Sequence, residues 1–128
     1  MRKFDSEGQL LWTEQYDTTQ SGNPGLQLAL APDGELVVAL SADGEMDFGG
    51  GMVSGGGAED LFIVKYSKSG EHLWSKAYGD AASQHDPFVA LAPDGTDAVT
   101  CSMNGKIDVG SGAVLSKGED VAVVKLGR

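Results

Sequence analysis

The sequence predicts an all-β protein built from four-stranded antiparallel sheets, and an internal repeat is the main reason. The letters LAPDG at 30–34 return at 91–95, and the pair Leu-Trp at 11–12 returns at 73–74. A repeat of about 60 residues indicates one supersecondary unit that is copied and stacked, because a single unit cannot bury its own apolar faces. The chain also has 19 glycines, which suit tight turns between short strands. No window shows the apolar spacing of a helix.

The strands of one repeat follow from the order of apolar and turn residues. Leucines alternate with small or polar residues over 26–31, which is typical of a strand with one apolar face. A tight turn at 32–34 follows, since Pro32 presets φ and Gly34 accepts positive φ. The other three strands are predicted in meander order at 36–40, 60–66 and 72–78.

The two middle strands of the repeat indicate how the sheets are arranged. Residues 36–40 and 61–64 are apolar almost without interruption. A sheet with one face in water would alternate along each strand, so we expect these sheets to be covered on both faces. Sheets stacked face to face around an axis meet that requirement, and this predicts a β-propeller-type arrangement of blades.

These motifs resemble a known repeat family. Asp60–Tyr66, followed by Gly70 and Leu73-Trp74 and preceded by the pattern at 28–49, is similar to the bacterial SBBP-type β-propeller repeats. The resemblance covers nearly the whole chain. It implies a propeller scaffold within a larger secreted or cell-surface bacterial protein, and hence an extracellular or cell-surface location. It implies no general catalytic residues.

Aligning the repeats divides the chain into three segments. Residues 1–16 match the C-terminal hairpin of a preceding blade, residues 17–78 form a complete blade, and residues 79–128 form a blade lacking its last strand. About two blades make an incomplete ring, since propellers close with about 4–8. We therefore expect a piece of a longer propeller, whose partners are upstream blades of the same protein. Closure by self-association is the alternative.

Charge and hydropathy exclude several functions. The net charge is −10, from 19 acidic against 9 basic residues, which disfavours binding to nucleic acid or to anionic membranes. No stretch approaches the roughly 20 apolar residues that span a bilayer, so we expect no membrane insertion. No apolar run of the signal-peptide kind follows Arg2-Lys3. The single cysteine, Cys101, is predicted to be a buried core residue.

Acidic and amide residues in glycine-containing turns are the first candidates for a metal site. A calcium ion takes about 6–8 oxygens, and each loop here offers only two such side chains, so we interpret them as turn-forming residues that bond the local backbone. They are Asp33, Asp43, Asp47, Asp94, Asn104 and Asp108. Asp60 and Asp120 precede the third strand at matching positions and are expected to bond a loop amide. We expect neither metal nor cofactor.

The glycine clusters at 49–51 and 55–57 lack the strand-then-helix context of a phosphate site. We interpret them as flexible connection. His85-Asp86 has no copy in the first repeat, where Pro24-Gly25 stands, but it lacks a nucleophile partner. Ser41 and Ser102 repeat with the scaffold, so neither is predicted to be a nucleophile.

Two aromatic positions recur once per repeat. Trp12 and Trp74 share one of them, and Tyr16 and Tyr78 share the other. We expect these rings to pack between sheets, although an exposed tryptophan would instead stack on a sugar.

The sequence shows no catalytic constellation, and the function it predicts is a non-catalytic repeat scaffold or binding module with a protein or carbohydrate ligand. The alternative is a propeller-fold lyase or glycoside-acting enzyme whose active site lies in missing blades. That reaction requires two carboxylates about 5–9.5 Å apart in a cleft.

Overall fold

The computed structural model describes residues 1–18, 25–92, 94 and 96–126, and its regular elements there are all β-strands. Every strand pairing is antiparallel. Pro24, Pro93 and Gly95, which belong to predicted turns or repeat alignments, lie outside the described residues. The strands are β1 Arg2–Phe4, β2 Leu10–Thr13, β3 Asp17–Thr18, β4 Leu26–Leu30, β5 Leu36–Ala42, β6 Glu45–Asp47, β7 Met52–Ser54, β8 Asp60–Tyr66, β9 His72–Tyr78, β10 Gln84–Leu91, β11 Asp97–Met103, β12 Lys106–Asp108, β13 Ala113–Leu115 and β14 Asp120–Leu126.

The four strands predicted for one repeat lie in a single sheet, in the order β4-β5-β8-β9. We call it the central sheet. A second sheet, which we call the distal sheet, has the order β10-β11-β14. The remaining strands form the hairpins β1-β2 and β12-β13 and the small sheet β3-β6-β7. The prediction of an all-β, antiparallel protein is confirmed, and no helix of the described residues is long and apolar enough to cross a membrane.

Equivalent residues pair in the central and distal sheets. The β5–β8 ladder runs from Ala42 opposite Asp60 to Leu36 opposite Tyr66. One repeat later, the β11–β14 ladder runs from Met103 opposite Asp120 to Asp97 opposite Leu126. Because a slip of one residue would turn every side chain to the other face, the shared register gives both sheets the same inward and outward positions.

The core lies on both faces of the central sheet, and every residue of β5 and β8 is buried. This confirms the prediction that both faces are covered. One face packs on the distal sheet through Val37, Ala39, Leu61, Ile63, Val99, Cys101, Met103 and Val124. The other face packs on β6 and on partly buried residues of the N-terminal hairpin through Leu36, Val38, Leu40, Met46, Phe48, Phe62, Val64 and Tyr66. Cys101 is therefore a core residue, as predicted.

The glycines at 49–51 are not an irregular flexible connection, and that prediction is wrong. They form the turn of a hairpin between β6 and β7. Asp47 Oδ1 accepts the N–H groups of Gly49 and Gly51 at 2.8 and 3.0 Å, and both glycines have positive φ, at +97° and +102°. An aspartate that bonds two turn amides fixes the loop, and glycine adopts this φ without strain.

Candidate functional site

A cleft of about 250 Å³ lies between the central and distal sheets. Lys65 and Trp74 are register partners on β8 and β9, so their side chains project from the same face of the central sheet. Asp97, the first residue of β11, enters the cleft from the distal sheet. The cleft is lined by Ala31, Asp33, Glu35, Lys65, Leu73, Trp74, Leu91 and Asp97.

A buried ion-pair cluster forms the floor of the cleft. The Lys65 ammonium lies 3.0 Å from Glu35 Oε2 and 3.5 Å from Asp97 Oδ2. Lys65 and Asp97 are 6% and 1% exposed. The Lys65–Asp97 contact therefore joins the two sheets by a pair of charges that water hardly reaches.

Burial and charge act in opposite directions on these groups. Burial raises the pKa of Asp97, and the neighbouring Lys65 opposes that rise. Burial would lower the pKa of Lys65, but contacts with Glu35 and Asp97 outweigh it, so this pKa lies above its usual value. Neither carboxylate oxygen of Asp97 has a hydrogen-bond partner among the described residues, and Oδ2 has only the ion-pair contact with Lys65 at 3.5 Å. Oδ1 thus remains a buried acceptor without a donor.

Trp74 forms the wall of the cleft. Its ring is half-buried and packs against the core between the two sheets. The Lys76 ammonium lies 5.6 Å from the ring centroid, at the distance of a cation–π contact. Trp12, its repeat counterpart, is also half-buried, and the centroids of the Trp12 and Tyr66 rings are 6.3 Å apart.

The two tyrosines occupy the corresponding sites on opposite faces of the central sheet. Tyr16 packs edge-on against Phe48, with ring centroids 5.2 Å apart, and Tyr78 belongs to the core shared with the distal sheet. All four recurrent aromatic residues thus pack against the core on one or the other face of the central sheet, Tyr78 buried and the other three partly buried.

Most of the acidic turn residues act as predicted on the local backbone. Asp33 Oδ1 accepts the N–H of Glu35 at 3.1 Å, and Asp94 Oδ1 accepts that of Thr96 at 2.9 Å. Asp108 repeats the two-amide arrangement of Asp47, accepting the N–H groups of Gly110 and Gly112. Asp43 is exposed, and Asn104 contributes its backbone carbonyl rather than its amide side chain. Among the described residues, no three His, Cys, Asp or Glu side chains converge to hold a metal ion.

Asp60 and Asp120 differ although they occupy matching positions. Asp60 is wholly buried and accepts the N–H of Gly57 at 3.1 Å, which confirms that it bonds a loop amide. Asp120 is exposed and accepts the N–H of Val121, the next residue of its own strand. The prediction of a loop amide is therefore wrong for Asp120, because its exposed carboxylate bonds the amide of the adjacent strand residue.

Two buried oxygens beside Gly79 lack a donor. A Cβ at Gly79 would lie 2.0 Å from Asp60 Oδ1 and 2.2 Å from Gln84 Oε1, and neither oxygen has a hydrogen-bond partner within the described segments. Gln84 Nε2 donates to the Asn104 carbonyl at 2.9 Å, which turns Oε1 toward Asp60. Burial raises the pKa of Asp60, the Gly57 amide opposes that rise, and the charges of Asp80 and Asp43 add to it.

This arrangement predicts that stability falls as the pH rises. The unfolded chain ionises Asp60 at its usual pKa of 3.8, and the folded chain does so at a higher pH. The stability from this group is therefore present below pH 3.8 and lost as the pH rises through the folded pKa. Asp60→Asn supplies an amide that can donate to Gln84, so we expect it to flatten this fall and to raise the denaturant midpoint at neutral pH. Parallel pH profiles for the wild type and the variant would contradict the assignment.

His85 and Asp86 lie at a bulge where the β10–β11 register shifts. His85 Nδ1 is 3.0 Å from Asp86 Oδ2, and His85 Nε2 is 3.9 Å from Glu119 Oε1. Asp86 has a φ of +51°, which is uncommon for a residue other than glycine. Ser102 is the register partner of His85, but no hydrogen bond joins the two side chains in the described structure. His85 therefore contacts two carboxylates, and among the described residues it activates no hydroxyl group as a nucleophile.

The Lys65 cluster is a feature of the structure that no motif in the sequence predicts. A signal was present, because Asp97 stands where the first repeat has the apolar Leu36. A charged residue at a core position of a repeat requires a partner, but Lys65 supplies it from β8 of the other sheet, which the sequence alone does not indicate. No protein-family model matches the chain, and no curated protein sequence matches it.

Proposed function

We propose that this protein is a non-catalytic β-propeller-type repeat scaffold, in which each sheet is one blade and receives further sheets of the same repeat on its outer faces. The support is the central sheet, whose two middle strands are buried on both faces between consecutive sheets. The shared register of the central and distal ladders supports the same reading. By its resemblance to secreted repeats we assign the scaffold to the bacterial cell surface or exterior.

One observation carries the proposal. Leu61 and Ile63 of the central sheet are 0% exposed because the distal sheet covers them. Their repeat counterparts on the distal sheet, Val121 and Val123, are 65% and 71% exposed. The same apolar positions that one sheet buries are thus presented to solvent by the next. A matching sheet of the same repeat is the partner that these positions fit.

The opposite end of the stack presents the complementary face. Leu28 and Leu30 on β4 are more than half exposed. Their repeat counterparts, Val89 and Leu91 on β10, pack against the core between the central and distal sheets. The exposed leucines of β4 therefore occupy positions that the interface between the central and distal sheets already uses, on the part of this face that the N-terminal hairpin leaves uncovered.

The enzymatic alternative has one observation in its favour. Glu35 and Asp97 form a pair of carboxylates in the cleft, the arrangement that glycoside chemistry uses at separations of about 5–9.5 Å. However, the Lys65 ammonium lies within 3.5 Å of both, and Asp97 is almost fully buried. An ammonium that contacts both carboxylates occupies the place of the reacting bond, which favours a structural or binding role.

The scaffold proposal predicts self-association of the 128-residue chain. We expect light scattering to show oligomers that grow with protein concentration and with ionic strength, since salt screens the net charge of −10. Val123→Glu places a charge on the outer face of the distal sheet and should shift the distribution to monomer. Ser54→Glu, on the exposed strand β7, adds the same charge elsewhere and should leave the distribution unchanged. A monomeric wild-type chain that unfolds cooperatively would overturn the proposal.

A further inference from the structure

We propose that the cleft between the central and distal sheets binds a neutral sugar ring, stacked on Trp74 and held by Asp97 and Lys65. This inference goes beyond the scaffold role and does not depend on self-association. It begins from the unpartnered acceptor, since Asp97 Oδ1 is buried and has no hydrogen-bond donor in the part of the chain that the structure describes. A buried acceptor without a donor is energetically unfavourable, and a ligand hydroxyl would satisfy it.

The Lys65 ammonium, which lies beside that acceptor, also has a hydrogen that no carboxylate contacts. An ammonium carries three hydrogens. The Lys65 ammonium contacts two carboxylate oxygens, one from Glu35 and one from Asp97. One hydrogen therefore remains beside an acceptor that has no donor. A hydroxyl group is both donor and acceptor, so a single hydroxyl can donate to Asp97 and accept from Lys65.

The charges of the cleft favour a neutral ligand. Asp33, Glu35 and Asp97 line the cleft together with Lys65, so carboxylates outnumber ammonium groups there and an anion would be repelled. A cation would compete with Lys65 for the carboxylates that already hold it. A polyol interacts with both kinds of group without placing a further charge in the cleft.

The wall and the size of the cleft fit a single ring. Trp74 offers an apolar indole surface at the cleft, and Lys76, which contacts the same ring, does not line the cleft. The apolar side chains of Leu73 and Leu91 complete that side. Pockets for drug-sized ligands run to about 300–1,000 Å³. The cleft, at about 250 Å³, is smaller than that range and suits one pyranose.

The test titrates the Trp12→Phe variant, in which Trp74 is the sole tryptophan, with glucose, galactose, mannose and N-acetylglucosamine. We expect saturable changes in Trp74 fluorescence with at least one of these sugars, with a dissociation constant in the millimolar range for so small a ligand. Failure of all four to bind the folded protein overturns the proposal. Binding of methylammonium in place of the sugars also overturns it, because the cleft would then be a cation site.

Two variants then test which residues hold the ring. Asp97→Asn keeps the shape of the side chain but turns its amide toward the position of Oδ1, replacing an acceptor by a donor. We expect it to weaken sugar binding by about tenfold, the effect of losing a hydrogen bond to a charged group. Asp108→Asn removes an equal charge from the distant β12–β13 hairpin and should bind as the parent does. Equal affinity for the Asp97 variant and the parent overturns the assignment, whatever the oligomeric state of the protein.

Discussion

Lys65→Met is expected to destabilise the fold by about 3–5 kcal/mol, because it removes the cation from a carboxylate that remains buried. Asp97 is 1% exposed, so water cannot replace the lost ammonium. Methionine approximates the length of lysine, and this isolates the charge from the packing of the side chain. Denaturant unfolding at neutral pH measures the loss. We expect it to shrink at acidic pH, where Asp97 takes up a proton and can be buried as a neutral acid.

A double variant supplies the control. Asp97→Leu restores the residue type that the first repeat has at this position, Leu36. Combined with Lys65→Met, it removes both charges and should recover most of the lost stability, since replacing a buried ion pair by apolar residues is often neutral. If the double variant were no more stable than Lys65→Met alone, the pairing would not be the cause of the loss.

Phe62→Ala should cost a similar amount, about 3–5 kcal/mol, through lost burial and a cavity in the core. Phe62 lies near the middle of β8, is wholly buried, and contacts the Phe48 ring at a centroid distance of 5.9 Å. On that face Phe62 packs with residues of β5, β6 and β8. Because the pairing of these strands holds their backbones in place, they cannot easily move in to fill the cavity. A shift of the denaturant midpoint at constant slope would report this loss.

Phe88→Ala removes the same atoms from an exposed site. Phe88 lies on the outer face of the distal sheet and is 61% exposed. Its replacement should change stability by no more than about 0.5 kcal/mol at concentrations where the chain is monomeric. Losses of equal size at the two positions would show that Phe88 is buried in the monomer, contrary to the structure.

The strands of the central sheet could be predicted because their residues carry strong local signals. Alternating leucines mark β4, and unbroken apolar runs mark β5 and β8, which are covered on both faces. The short strands β6 and β7 escaped prediction. They contain three residues each beside a run of glycines, and their pairing depends on the carboxylate of Asp47 rather than on apolar periodicity.

The cleft could be predicted only in part. Trp74 was recognised as recurrent, but its closeness to Asp97 depends on how two sheets pack, and that packing leaves no local pattern. Asp97 and Lys65 are far apart in sequence and meet only across the interface. The different fates of Asp60 and Asp120 have the same origin, because identical residues at identical repeat positions acquire different surroundings when only one is covered.

The shared register of the two ladders has a consequence for how such chains can change in length. Because Ala42 opposite Asp60 corresponds to Met103 opposite Asp120, excising or inserting one whole repeat of the gene leaves each strand with a partner of the same alignment. The new junction would join faces that already fit each other. We therefore expect recombination between the similar stretches at 30–34 and 91–95 to change the copy number while keeping this strand alignment. The ion pair of Lys65 and Asp97 joins only the central and distal sheets. A repeat that carries one of these two charges could then no longer be exchanged freely for another repeat, because its charge would lose its partner.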